Sequence, residues 1–506
     1  MPELRRISQI FWWLFFVALL LKTIYPLVLP LPLNLFPRLS PFLAISTFIA
    51  TRKFLFTFLP AGIISILTIF LGRFFCGWIC PLGTSIDASD FFLTKTGLQF
   101  SRRIRIRNFK YYLLIFVLAG TLVGGQLAGW WDPLSLVTRS YVTTFLSYSQ
   151  SFTRYILRWL RQVPLLNNLY FPLNQFLKKE FFPVHYPLFS YHLLFLGIIL
   201  ILLLLSLIEK RFWCRNLCPL GTVLAFLSRF SIFKRQVSSA CIQCQKCLKN
   251  CRMGAISGKG ESNLGGECIL CLDCKKICPS QAITFGPSAT TVPVNISRRN
   301  FLISAAGGLL MLGLLKNIPP SHPDLLRPPG ILPEPEFLEQ CIRCGECLKV
   351  CPTRGLQFSW LEGGILSLWT PKLVPRIGYC EYYCHLCSSM CPSGAIKKMS
   401  LEEKQKIKIG TAFIDRQRCL PWAKNQSCIV CEEVCPIPTK AIKVKKTLLP
   451  QSHRELLRPY VLPEDCIGCG TCENRCPLPG EAAIQIIPVS QKSGYFAGRG
   501  WRRISY

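Results

Sequence analysis

Long apolar runs alternate with short polar breaks through the first 210 residues, and then the pattern stops. The first run is 9–30, opening Gln9-Ile10-Phe11-Trp12-Trp13, and 54–75, 111–131 and 187–208 are three more. Each has about 20 residues, the length that carries a helix across the ~30 Å hydrocarbon core of a bilayer. The run 42–50 is too short to span and is predicted to lie at the interface. Beyond residue 210 one further run stands out, Phe301–Leu315, directly behind the adjacent Arg298 and Arg299. The stretch SRRNFLISAAGGLLMLGLL reads as an internal twin-arginine export signal; the competing reading is a buried core helix behind a chance arginine pair. No small-residue cleavage site follows, so an uncleaved anchor is expected.

Charge orients these runs. A formal net charge of +33 suggests nucleic acid or anionic lipid as partner. The basic residues gather at the ends of apolar runs, as membrane topology requires, so membrane lipid is the expected partner and nucleic acid is not. Arg5 and Arg6 precede the first run, SRRIRIRNFK occupies 101–110, and Lys210 and Arg211 follow the fourth run. By the positive-inside rule these lie in the cytoplasm of a bacterial or archaeal cell, with Pro26–Pro41 and 132–186 as outer loops.

The chain has 28 cysteines, and all fall into spaced motifs. A disulfide framework does not repeat one tight spacing six times. Cys241, Cys244, Cys247, Cys251 and Cys268, Cys271, Cys274, Cys278 follow the two-cluster ferredoxin pattern, in which three close thiolates hold one 4Fe–4S cluster and the fourth crosses to its neighbour. Cys241, Cys244, Cys247 and Cys278 are therefore assigned to one centre, and Cys268, Cys271, Cys274 and Cys251 to the other. Arg252 stands where proline is usual. Zinc knuckles want paired spacing instead. Four more motifs follow a proline-rich linker: Cys341, Cys344, Cys347, Cys351; Cys380, Cys384, Cys387, Cys391; Cys419, Cys428, Cys431, Cys435; and Cys466, Cys469, Cys472, Cys476. Spacing alone does not say which fourth cysteine serves which cluster. After all six motifs a small residue precedes an aliphatic one (Ala255-Ile256, Ala282-Ile283, Gly355-Leu356, Ala395-Ile396, Ala441-Ile442, Ala483-Ile484), predicting short strands packed on the clusters. Six 4Fe–4S clusters are expected.

The last four cysteines end the second and fourth apolar runs in an internal repeat, FFCGWICPLGT and FWCRNLCPLGT. This puts Cys76, Cys80, Cys214 and Cys218 at one membrane depth. They are candidates for a seventh iron–sulfur centre, for structural thiols, or for a redox-active dithiol pair. Cys384-His385 is not a haem site, because Cys380 is one residue too far away for C-x-x-C-H. His185 and His192 are candidates to touch a quinol head group, or are interfacial packing. Asp132 with Arg139 would handle a quinol proton, or form an interfacial ion pair. Bis-histidine haems would need more intramembrane histidines than this chain has.

Residues 1–285 resemble the NapH/MauN type of polytopic ferredoxin, on the two C-x3-C-P span endings and the two-cluster module behind them. Residues 297–485 resemble the NapG/MauM type of exported four-cluster ferredoxin, on SRRNFL, on LRPPGILPEPEFLEQCIRCGECLKVCP and on the three later motifs. The resemblance implies a quinol dehydrogenase pair, here fused, with the C-terminal module exported. The expected fold is mixed: an α-helical transmembrane bundle of four spans plus a fifth single anchor, with two ferredoxin-like α+β modules. The expected divisions are 1–235 (membrane), 236–290 (cytoplasmic two-cluster module), 291–318 (signal and anchor), 319–337 (linker), 338–490 (periplasmic four-cluster module) and 491–506 (basic tail). The expected function is to pass electrons from menaquinol in the quinol pool, or from a cytoplasmic donor, to a periplasmic redox enzyme or cytochrome, within a multi-subunit complex. The alternatives are a maturation or redox-sensing ferredoxin, or the wire subunit of a larger respiratory complex. No acid–base or nucleophile constellation for other chemistry stands out.

Overall fold

The apolar half folds as helices whose caps are written in the sequence. In this computed structural model the described residues are 2–22, 34–98, 106–162, 167–180, 189–258, 260, 262–264, 266–287, 296–317, 325–448 and 455–489. Helix α1 is Pro2–Lys22, α2 Pro41–Thr51, α3 Leu59–Leu71, α4 Pro81–Lys95 and α5 Phe109–Leu122. Then come α6 Pro133–Ser140, α7 Leu146–Gln162, α8 His192–Leu204, α9 Pro219–Leu227 and α10 Arg298–Asn317. Ser40 caps α2 and Asp132 caps α6, each with a proline at the first helical position, which has no N–H to leave unpaired.

Two helical segments, Glu3–Lys22 and Arg298–Lys316, are long and apolar enough to cross a membrane. The other expected spans are shorter. Helices α3, α5 and α8 have 13, 14 and 13 residues, about 20 Å at 1.5 Å per residue, so four full-length spans are not found among the described residues. Helix α5 stops because Gly124, at φ +84°, turns the chain. Residues 42–50 are not interfacial: Phe42, Leu43, Ser46 and Thr47 on α2 are buried, and Ser46 and Thr47 satisfy their hydroxyls on the Gln126 side chain. Residues 133–140, expected in an outer loop, form α6 and are buried at every position. The anchor is not solitary either. Helix α10 lies along α5, where Gly308 meets the Phe116 carbonyl, Gly120 approaches Gly308, and Leu312 is buried against Gly125. Small residues are what let two helix backbones come this close.

Helices α5 and α10 run parallel, and their ends define the two ends of the bundle. At the start, Lys110 reaches Glu267 of the first cysteine module, and the Ser297 N–H donates to the Tyr112 hydroxyl (3.3 Å). At the finish, Lys316 lies 3.9 Å from Glu339 of the second module, and Gly124 faces the same carboxylate. Helix α1 agrees: Arg5, at its start, pairs with Asp87, which also binds Arg252 of the first module. Near its end the Leu19 carbonyl accepts from Lys349 of the second module (3.4 Å). The two modules therefore sit at opposite ends of the helices.

Each module is built on two-stranded antiparallel sheets. Strand β1 (Phe233–Val237) pairs with β4 (Ile283–Pro287), and β2 (Ile256–Ser257) with β3 (Ser262–Asn263). In the second module β5 (Leu356–Phe358) pairs with β6 (Pro371–Leu373), β7 (Gly410–Ile414) with β10 (Ile484–Pro488), and β8 (Ile442–Leu448) with β9 (Glu455–Val461). Five of the six small–aliphatic pairs put their aliphatic residue on these strands, and Ile396 bridges to Ile331. All six aliphatic side chains are buried. The linker folds from residue 325 onward: Arg327 is clamped by Glu334, Thr370 and the Pro371 carbonyl, and Phe337 is fully buried. Its prolines open a helix, Glu334–Gln340, rather than prolong a coil.

Candidate metal centres

The motif loops turn their thiols inward because residues between the cysteines take left-handed backbone, Gln243, Gln245, Leu270, Leu272 and Arg343 among them. One cavity is lined by Cys241, Cys244, Cys247 and Cys278 with Arg235 and Ile283. A second is lined by Cys419, Cys428, Cys431 and Cys476 with Ile414, Pro477 and Ile484. The thiols of Cys268, Cys271 and Cys274 couple electrostatically to Cys251. In the second module Cys341, Cys344 and Cys347 couple to Cys391, and Cys380, Cys384 and Cys387 to Cys351. Cys469 couples to Cys466 and Cys435, and Cys472 to Cys469 and Cys466. In each pair of motifs, thiols of one motif thus lie near the fourth cysteine of its partner. Spacing had left that pairing open for the second module. The Cys380 N–H also donates to the Cys469 carbonyl (2.8 Å), which joins the two halves.

These pockets fit iron–sulfur clusters by the chemistry of their donors. Burial pushes Cys274 up to about 11, and Cys268 and Cys431 up to about 12. An apolar pocket therefore disfavours bare thiolates, and a cationic core is what ionises them. Among the described residues no group of three or more His, Cys, Asp or Glu is drawn close around a single point.

The four bundle cysteines also converge. Cys80 couples to Cys76 and Cys214, and Cys218 to Cys214 and Cys76. All four are buried. Cys80 and Cys218 cap α4 and α9, accepting from the Gly83 and Gly221 N–H at 3.4 and 3.3 Å. Two fully buried arginines cross between the copies of the repeat. Arg73 donates to the Cys214 carbonyl (3.1 Å), and Arg211 donates to the Cys76 carbonyl (3.0 Å). Arg73 Nε also lies 3.4 Å from Cys76 Sγ. The counter-ions differ: Arg211 pairs with Asp87 (2.6 Å), and Arg73 with Glu267 (2.9 Å). Lys110 (2.6 Å) and the Tyr111 hydroxyl (2.7 Å) complete the shell of Glu267. Against the desolvation of its burial, Lys110 and Arg73 hold the Glu267 carboxyl down at about 2. The sequence reading missed Arg73 and took Arg211 only as a marker of the cytoplasmic side. Their signal was present, since each stands three residues before the first cysteine of its copy, RFFC and RFWC.

The described polar candidates at the other end are engaged by neighbouring protein groups. Asp132 is fully buried, and its oxygens are taken by the Ser40 hydroxyl (2.6 Å) and the N–H groups of Leu134 and Ser135. Arg139 donates to the carbonyls of Gly129, Trp130 and Arg343 rather than to Asp132, so the two form no ion pair. His192 Nδ1 is 2.8 Å from the Phe189 carbonyl, and its ring meets Tyr148 edge-on. His185 lies outside the described residues.

Comparison with known proteins agrees with these pockets. A family described as a 4Fe-4S dicluster domain matches residues 267–356. One described as a 4Fe-4S binding domain matches 54–99 and 191–238, the two copies of the repeat. Another of that description matches 459–478. The chain carries several 4Fe–4S binding regions. No solved structure matches it significantly. The methylamine utilization ferredoxin-type protein MauM of Methylorubrum extorquens is 34% identical over 41% of this chain and 95% of its own length. MauM of Methylophilus methylotrophus is 38% identical over 37% of this chain and 81% of its own. The ferredoxin-type protein NapG of Escherichia coli is 34% identical over 41% and 92%. Through about two-fifths of its length, the chain belongs to the MauM/NapG family of ferredoxin-type iron–sulfur proteins.

Proposed function

We propose that this protein is a membrane-bound electron carrier in which a NapH/MauN-type part and a NapG/MauM-type part are fused. It takes electrons from the quinol pool or a cytoplasmic donor and delivers them to a redox partner across the membrane. The 24 motif cysteines hold six 4Fe–4S clusters in the sets grouped above, and Cys76, Cys80, Cys214 and Cys218 hold a seventh centre. Such a cluster supplies one-electron transfer; the chain supplies placement, burial and countercharge. Arg73 and Arg211 balance the thiolates of the bundle site. Residues 236–290 work on the cytoplasmic side and 338–490 on the periplasmic side.

The observation that carries this reading is the docking of the two modules at opposite ends of α5 and α10. Donor entry at the first end is supported by a cavity of about 450 Å³. It is lined by Asp90, Lys210, Arg252 and Lys276 beside Ile277, next to Cys278.

The test places protease-cleavable tags at 236–290 and at 338–490 in the full chain. In right-side-out vesicles only the second tag should be cut, and in inverted vesicles only the first. Cleavage of both from one side would refute the reading. Fewer than about twenty irons per anaerobically purified chain would refute the six-cluster assignment.

A further inference from the structure

The first-cysteine loop of one motif in each module meets the bundle in the same way. In the first module the Ile269 carbonyl, one residue after Cys268, presses on Gly77, where an added Cβ would stand 2.5 Å from that oxygen. In the second module the Ile342 carbonyl, one residue after Cys341, presses on Gly129, where a Cβ would stand closer still. Each glycine is followed by tryptophan. Trp78 Nε1 donates to the Leu270 carbonyl (3.2 Å), and Trp130 Nε1 donates to the Leu368 carbonyl (3.3 Å) beneath the Arg343 guanidinium. Gly77 lies inside the C-x3-C loop of the bundle, between Cys76 and Cys80. Gly129 precedes Trp130 and Trp131, and the Trp131 ring stacks on Trp213, the neighbour of Cys214, at 6.4 Å and 10°.

We propose that the Gly77-Trp78 and Gly129-Trp130 steps are the two docking junctions that fix each module against the bundle at electron-transfer contact. A bare glycine lets a ferredoxin loop rest its backbone on the bundle, and the tryptophan N–H pins a neighbouring carbonyl of the module. Any side chain at either glycine must lift the module off, because the opposing atom is backbone and cannot swing away. At each junction one electron crosses with no bond made or broken; the donor centre is oxidised by one and the acceptor reduced by one. The inference rests on the proposed transmembrane route, and its test separates the two.

The full chain in liposomes is given dithionite outside and ferricyanide inside, neither of which crosses the bilayer. Gly77→Ala and Gly129→Ala should each slow ferricyanide reduction severalfold, because electron transfer weakens steeply as the module is lifted away, with iron content and EPR cluster count unchanged. Amide exchange should rise at 268–272 in the first variant and at 341–346 in the second. Gly62→Ala and Gly197→Ala, where nothing lies within 4 Å of the added carbon, should behave as wild type. Trp78→Phe and Trp130→Phe, which keep the ring and lose only the N–H, should show a smaller slowing in the same direction. Junction variants that transfer at the wild-type rate, or that lose iron, overturn the junctions. A wild-type protein that passes no electrons overturns the transmembrane route and the junctions with it.

Discussion

Glu267 carries the first module, so its loss should be felt at the docking contact before anywhere else. Glu267→Gln keeps the shape and the hydrogen bond to Tyr111 but removes the charge that Arg73 and Lys110 share; both cations are fully buried. Stranding one member of a buried ion network costs about 3–5 kcal/mol. The proton affinity agrees: a carboxyl held at about 2 instead of 4.5 corresponds to about 3 kcal/mol at 1.36 kcal/mol per tenfold. Local opening, not global unfolding, is the relevant equilibrium in a multi-part membrane protein. Hydrogen exchange at 264–272 should therefore accelerate by roughly a hundredfold, while 341–351 keeps its protection. Replacing Arg73, Lys110 and Glu267 together by methionine should cost the docking contact far less, since none of its own charges is left unpaired, although the bundle thiolates then lose the countercharge of Arg73. Exchange in Glu267→Gln within about threefold of wild type would show that the carboxylate does not hold the module.

Three other outcomes are expected. Because the Glu267 carboxyl is held below its ordinary value, docking should be constant above about pH 4.5 and weaken as pH falls from there toward about 2; exchange at 264–272 across that window reads it. Cys278→Ser should remove about four irons and leave Cys271 as protected as in wild type, whereas Cys251→Ser should also remove about four irons but expose Cys271 and leave Cys244 protected, as cluster-resolved EPR and thiol labelling would report. Asp132→Ala should cost about 1 kcal/mol through loss of the α6 cap and leave the pH profile of electron delivery unchanged, against the reading of Asp132 as a proton acceptor.

What could be read from the chain was whatever depends on local spacing. The ferredoxin motifs and the buried aliphatics behind each motif follow from residues within about a dozen positions of one another, where backbone geometry leaves few choices. The bundle was harder. Hydropathy identifies apolar runs but not where a helix stops, and Gly124 and Asp132 broke the third run and turned its continuation back as α6. The run 42–50 looked interfacial because it is short; its polar Ser46 and Thr47 are satisfied by Gln126, some 80 residues away, a partner no local pattern announces. The second-module pairing was hidden because four motifs offer each fourth cysteine more than one partner; Cys351 joins the thiols of the motif that begins at Cys380.

The repeat explains why the first module docks where it does. Aligned on their cysteines, the two copies place Arg73 with Arg211, Gly83 with Gly221, and Asp87 with Ala225. Arg211 finds its counter-ion in the other copy, at Asp87. By the same symmetry Arg73 should find one at position 225, where alanine offers none. The first module fills the gap: Gly266, at φ +79°, lays its backbone against the Ala225 carbonyl, and Glu267 delivers the missing carboxylate to Arg73. A carboxylate restored at 225 should then make the module dispensable to the arginine. Ala225→Asp together with Glu267→Ala should recover most of the stability that Glu267→Ala alone loses at the four-cysteine site, as amide exchange at 73–80 and 214–218 reports, yet leave 264–272 as exposed as the single variant does. If the double variant re-protects 264–272, the module is held by something other than the charge it lends.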